Sequence, residues 1–150
     1  MIKCIWEQQN MTKAMYEECI KPLCAQFGLA TIELDILLFL ANNPECCTAT
    51  DIVNIRKMTK SHVSAALKTL SEHGYVEKEY KKGNRKTIYL KLTDESQEIV
   101  ARGREAQNQF TTILFDGFSE DEIHTMQKQQ MRIGENVKQY FRSKNAEKKA

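Results

Sequence analysis

Met11, Met15, Cys19, Leu23 and Phe27 recur every four residues, with Ala14, Ile20 and Cys24 beside them. That spacing keeps them on one face of a helix, predicted from Ile5 to about Phe27. Pro22 has no N–H and its ring crowds the preceding turn, so a kink or break is expected there. Gly28 ends the segment. Thr31 then offers an N-cap, and Glu33 and Asp35 suit the positive end of a helix dipole. Residues 36–41, Ile-Leu-Leu-Phe-Leu-Ala, are apolar on nearly every side, which predicts a centrally buried second helix stopped by Asn42, Asn43 and Pro44.

A short third helix fits Thr48 or Thr50 to about Arg56, carrying Ile52, Val53 and Ile55. After Lys57 and Met58, Thr59 caps a fourth helix predicted to run to His73, with Gly74 as the residue just past its end. At 100° per residue, Val63, Ala66, Leu67 and Leu70 fall on one side, and Ser61, Ser64, Ala65, Lys68 and Glu72 on the other. The period then changes to two. Val76, Lys78 and Tyr80 alternate with Glu77 and Glu79, and Ile88, Leu90 and Leu92 with Thr87, Tyr89 and Lys91. Residues 81–86, Lys-Lys-Gly-Asn-Arg-Lys, form a turn-rich connection between them, the mark of a β-hairpin with a charged tip. A helix resumes at Thr93, whose hydroxyl is expected to cap it. Ile99, Ala106, Phe110, Ile113 and Gly117 run along it at near-heptad spacing, over about 23 residues or roughly 35 Å. Ser119 and Glu122 make a capping box for a last helix toward Phe141, and the polar tail from Lys144 is expected to fray.

The chain has 150 residues, a one-domain length, with 41% hydrophobic and 28% charged residues. No apolar run approaches the roughly 20 residues of a membrane span, and the N-terminal stretch lacks the pattern of an export signal. Five cysteines, an odd set with no such signal, read as reduced thiols in a cytoplasm. The net charge of +2 hides an uneven distribution. Residues 44–93 hold ten basic and five acidic side chains, and the segment 78–91 alone holds six basic and one acidic. A basic middle between acidic ends points to a polyanionic partner there.

Two helices joined by a tight turn and followed by a basic hairpin make a winged helix-turn-helix. Such a unit can lay its second helix in the roughly 12 Å wide major groove of DNA and reach backbone or minor groove with the wing. The segments Thr48-Ala-Thr-Asp-Ile-Val, Thr59-Lys-Ser-His-Val-Ser and Leu70-Ser-Glu-His-Gly-Tyr-Val carry a further resemblance, which continues through the wing to Leu90-Lys-Leu-Thr93 and the Ser119 capping box. Here the sequence resembles the MarR (multiple-antibiotic-resistance regulator) family of bacterial transcription regulators. The resemblance implies a mostly α (α+β) fold, with one domain over 1–150. Residues 30–93 would form the DNA-binding lobe, and 1–29 and 94–145 the N- and C-terminal dimerisation helices. It also implies a cytoplasmic homodimer on a pseudo-palindromic operator, a repressor relieved by a small aromatic or amphipathic ligand or by thiol oxidation. Apolar residues on the first helix (Trp6, Met11, Met15) and the last (Ile123, Met126, Ile133, Val137, Phe141) fit such pairing.

The residues expected at DNA are Lys60, Ser61, His62, Ser64, Ala65 and Lys68 of the fourth helix, and Lys82, Asn84, Arg85 and Lys86 of the wing. The family's wing motif is Asp-x-Arg; this chain has Asn84-Arg85-Lys86, so the acid is an amide and the arginine is displaced. Arg85 is the expected minor-groove residue, because its planar donor fork suits that role better than an ammonium. Cys19 and Cys24 are expected in packing, while Cys4, Cys46 and Cys47 leave redox sensing as the alternative mode of control. A winged helix can also serve as a protein-interaction module. No Cys-x-x-Cys, Gly-x-Ser-x-Gly, phosphate-binding loop or Gly-x-Gly-x-x-Gly is present, so no metal, no cofactor and no enzymatic activity are expected.

Overall fold

The computed structural model describes residues 2–147, apart from the side chains of residues 2, 85, 146 and 147. The elements run α1 (Ile2–Phe27), α2 (Thr31–Asn42), α3 (Ala49–Arg56), α4 (Lys60–Glu72), β1 (Val76–Lys81), β2 (Asn84–Leu92), a 3₁₀ turn (Asp94–Ser96), α5 (Gln97–Leu114) and α6 (Glu120–Glu147). Contacts divide the chain into two compact units, Met1–Thr111 and Thr112–Ala150.

The first unit is assembled around α2. Leu34, Ile36 and Leu37 are completely buried and Leu38 nearly so. Three consecutive buried positions leave no solvent face, as the apolar run predicts. Ile20 and Leu23 of α1, Ile52 of α3, Val63, Leu67 and Leu70 of α4, Val76 of β1 and Ile99 of α5 complete this core. Each such side chain contributes roughly 1.5–3 kcal/mol by leaving water. Among the described residues no single helix is long and apolar enough to cross a membrane; the most apolar stretch, α1 with α2, bends by 100° at the junction.

Several local expectations are corrected. Pro22 does not break α1, which continues to Phe27. Ile20, Leu23 and Cys24 are anchored in the core on both sides of it, and that packing offsets the missing hydrogen bond. The N-cap of α2 is Ala30, not Thr31. The Glu33 carboxylate reaches back to accept from the Ala30 N–H at 2.8 Å, so an acid inside the first turn replaces the capping hydroxyl. Thr93 does not cap through its hydroxyl, which donates to the Gly74 carbonyl at 2.6 Å and ties the end of β2 to the end of α4. The helix that follows is correspondingly shorter, the 3₁₀ turn and then 18 residues.

In the second unit, Ser119 and Glu122 form the expected capping box: the Glu122 carboxylate accepts from the Ser119 N–H at 2.8 Å and the Ser119 hydroxyl accepts from the Glu122 N–H at 3.3 Å. These bonds lower the Glu122 pKa. α6 is helical to Glu147, past Lys144 where the polar tail begins and with Gly134 inside it; residues 148–150 of that tail lie outside the described part.

At Gly103 α5 passes close to α2. A Cβ built there would lie 2.5 Å from Cδ2 of Leu38 and 3.1 Å from its Cδ1. Leu38 is 1% exposed and has no room to turn away. Overpacking of about 1–3 kcal/mol should therefore outweigh the roughly 1 kcal/mol gain in helix propensity in Gly103→Ala. The urea midpoint is expected to fall with an unchanged m-value; an equal or higher midpoint would mean that the two helices part without cost.

Candidate nucleic-acid interface

The interface is built on α3 and α4. Thr48 and Asp51 cap α3 reciprocally: the Thr48 hydroxyl accepts from the Asp51 N–H at 3.1 Å, and Asp51 Oδ2 accepts from the Thr48 N–H at 3.0 Å and from its hydroxyl at 2.6 Å. Lys57 ends α3 in the left-handed region (φ 54°), the only such non-glycine residue among those described. This conformation is unfavourable for an L-residue, and the packing on either side holds it. The chain then reverses sharply enough for Thr59 to cap α4, its hydroxyl accepting from the His62 N–H at 3.3 Å.

On α4, Val63, Ala66, Leu67 and Leu70 are buried. Lys60, Ser61, His62, Ser64, Ala65 and Lys68 are all exposed, as predicted. Lys68 lies 3.8 Å from Glu72 one turn on. An exposed pair of this kind is worth only about 0.3–0.5 kcal/mol, so a phosphate can recapture the ammonium. The far end of α4 closes as a Schellman turn: Tyr75 N–H donates to Leu70 O at 2.9 Å and Gly74 N–H to Ser71 O at 3.1 Å, with Gly74 at φ 76°.

The wing is an antiparallel pair in which Val76 faces Leu92, Lys78 faces Leu90, and Lys81 faces Asn84 across the tip. The turn is therefore Lys82-Gly83 alone, with Gly83 at φ 85°, rather than the whole of residues 81–86. Alternation along β1 does not produce a buried face. Only Val76 is buried, and Lys78 and Tyr80 stand exposed, because the hairpin projects past the core that covers its base. Lys81 Nζ rests 4.2 Å from the centre of the Tyr89 ring. The segment before α3 docks on the wing's base as well. Leu90 N–H donates to Cys47 O at 2.8 Å and Thr48 bridges Tyr89, so the backbone at Cys47 and Thr48 is a strand-like partner of β2.

Lys82, Asn84 and Lys86 are exposed; the Arg85 side chain lies outside the described part, its backbone within β2. Asn84 is committed locally. Its Oδ1 accepts from the Lys86 and Thr87 N–H groups at 3.0 and 3.2 Å, and its Nδ2 donates to the Thr87 hydroxyl at 3.0 Å. The amide thus shapes the start of the returning strand.

Between α3, α4 and the wing opens a groove of about 410 Å³, floored by Val53, Val63, Leu67 and Ile88 and edged by Ser64, Lys60, Lys78 and Lys86. Ammonium groups from three different elements around one concavity concentrate positive potential in it. Lys78, counted in the basic segment 78–91 but not among the residues expected at DNA, lines this groove. Among the thiols, burial raises the Cys24 pKa; partial desolvation and the Glu45 and Asp51 carboxylates raise that of Cys46. Among the described residues no three His, Cys, Asp or Glu side chains cluster as a metal site would require.

Comparison with known proteins places this geometry. Residues 27–85 match the model of the MarR family. The HTH-type transcriptional regulator BilQ of Clostridioides difficile is 22% identical over 120 residues, spanning 80% of this chain and 78% of that one. A MarR family transcriptional regulator from Listeria monocytogenes, solved with a 26mer DNA, superposes with a TM-score of 0.76 at 20% identity, covering 91% of this chain and 88% of its own. The S. aureus MepR–DNA complex gives 0.70 at 16% identity, covering 88% and 96%. Residues 27–85 therefore match the MarR family in sequence, and over most of its length the chain has the winged helix-turn-helix fold of these structures.

Proposed function

We propose that the protein is a DNA-binding transcription regulator, a homodimeric repressor that holds a pseudo-palindromic operator and is released by a small aromatic or amphipathic ligand. The carrying observation is the juxtaposition of the small, polar outer face of α4 with a groove edged by Lys60, Lys78 and Lys86. Ser61 and Ser64 let the helix backbone approach base edges closely, and the lysines meet phosphates, which position the protein without reading sequence. The DNA in the two related complexes supports the same use of this fold. Such a protein acts in the bacterial cytoplasm.

Residues 30–93 serve as the DNA lobe, and 1–29 and 94–145 as the dimerisation helices of one domain. Exposed apolar side chains support the pairing: Ile5, Trp6 and Met11 on α1, and Met131, Ile133, Val137, Tyr140 and Phe141 on α6. Obligate interfaces commonly bury some 2,000–5,000 Å², and surfaces of this composition invite that burial. At Cys46, one of the candidate redox thiols, partial desolvation and nearby carboxylates raise the pKa and so reduce the thiolate that oxidation requires; release by ligand is the mode proposed here. Replacement of all five cysteines by serine or alanine should leave ligand-induced release intact.

The protein should sediment as a dimer at low micromolar concentration; a well-folded monomer there would contradict the pairing. It should retard duplex DNA, and increasingly less as salt rises, by roughly 0.9 log units per log salt for each phosphate contact. Arg85→Ala is expected to weaken binding to operator and scrambled duplex alike and to lower that slope by about one contact. Ser64→Ala should instead cost about 1–3 kcal/mol on operator and relax preference at one or two base pairs per half-site. Salt titrations of both variants on both duplexes measure this; an unchanged slope for Arg85→Ala would remove that side chain from the interface.

A further inference from the structure

Asp35 is a carboxylate on the most buried helix of the protein, between Leu34 and Ile36, with its own side chain only 15% exposed. Its two oxygens are divided between two other elements. Oδ1 accepts from the Tyr16 hydroxyl of α1 at 3.4 Å, and Oδ2 accepts from Arg56 Nη2 of α3 at 3.5 Å. The chain of polar contacts continues beyond Tyr16. Its hydroxyl accepts from Gln107 Nε2 of α5 at 3.4 Å, and its ring meets Phe110 edge-on at 5.3 Å. Gln107 Oε1 accepts from Asn42 Nδ2 at 3.0 Å, and Arg104 donates to Asn42 Oδ1 at 3.1 Å and to Ala41 O at 2.8 Å. One polar line thus runs from α5 through α1 and α2 to the last residue of α3.

The position of Arg56 gives the line its consequence. Lys57, in its strained left-handed conformation, follows directly, and Thr59, the cap of α4, comes two residues later. No flexible loop intervenes to absorb a shift. Stability alone does not account for the carboxylate. Burial raises the Asp35 pKa despite Arg56 and Tyr16, which lower it, with Glu17 adding to the rise. The folded protein therefore binds that proton more tightly than the unfolded chain does, so the ionised group at neutral pH works against folding. An apolar residue of similar size would serve the core at least as well; buried ionic contacts of this kind contribute direction more than energy.

We infer that Asp35 is a positioning residue which, with Tyr16 and Arg56, sets the recognition helix α4 against α1 and α5 and so determines the half-site spacing that the protein accepts. This rests on the reading of the protein as a dimer on two half-sites. In such a dimer a small rotation of each lobe about its dimerisation helices changes the separation of the two recognition helices, which DNA of one spacing reports directly.

The test begins by enriching duplexes from a random-sequence library with the full-length protein, then measures Kd on the enriched operator and on versions with one or two base pairs inserted or removed between half-sites. The wild type should bind the altered spacings at least about tenfold more weakly. In Tyr16→Phe, which removes a single oxygen, and in Asp35→Leu, that discrimination should shrink to about threefold or less, while thermal unfolding shows each variant folded. Arg56→Lys should retain part of the discrimination and Arg56→Met little. Variants that keep the wild-type discrimination, or that lose affinity equally at every spacing, would overturn the inference. If the wild type enriches no duplex, the DNA-binding reading itself fails. If it enriches isolated half-sites, the dimeric reading fails. Either result takes the inference with it but is distinct from the variant outcomes.

Discussion

The burial of α2 is the constraint from which the first unit's arrangement follows. A helix with apolar side chains on every side has no stable position at a surface, so other elements must cover each of its faces. Here α1, α4, α5 and the base of the wing do so, through Ile20, Leu70, Ile99 and Leu90 among others. Because packed interiors tolerate little change in volume, this covering also fixes distances: α5 comes so close that a Cβ at position 103 would crowd the Leu38 side chain. Elements that bear on function inherit their placement from this core.

The candidate nucleic-acid surface is what remains once the core is satisfied. Val63, Ala66, Leu67 and Leu70 use one side of α4 for packing, which leaves its serines, Ala65 and lysines outward. The wing is bound at its base, where Val76 is buried and Leu90 pairs with the Cys47 carbonyl, and is free beyond it. Its lysines therefore keep their charge in solvent, where steering a polyanion requires it. The Asn84 amide and the Lys81–Tyr89 contact give the projecting tip a defined shape despite its exposure.

The polar line through Asp35 complements this arrangement. Hydrophobic packing is non-directional and holds helices together without dictating their azimuth, whereas hydrogen bonds impose distance and angle. Asp35, Tyr16 and Arg56 place such directional contacts between α1, α2 and α3. The carboxylate lies within the element to which the whole unit is packed, so its two contacts share one rigid reference.

Local signals were sufficient for what depends on neighbours in sequence. The helical stripe of α1, the all-apolar run of α2, the Thr59 cap, the Gly74 helix end, the two faces of α4 and the Ser119 box each express periodicity or capping within a few residues. The winged helix-turn-helix and most of its exposed polar set were legible for the same reason. What tertiary structure decided involves groups far apart along the chain. Pro22 stays within a helix because core packing holds both sides of it, and the Thr93 hydroxyl turns to Gly74 rather than to its own helix. Lys78 joins the groove because the hairpin outruns the core, although its alternation matches that of a buried position. Asp35 looked like an ordinary acid near a helix start; only the convergence of α1 and α3 on one carboxylate makes it a junction. Periodicity records which side of an element is apolar, but the partners that meet a polar side chain are set by the long-range packing of the core.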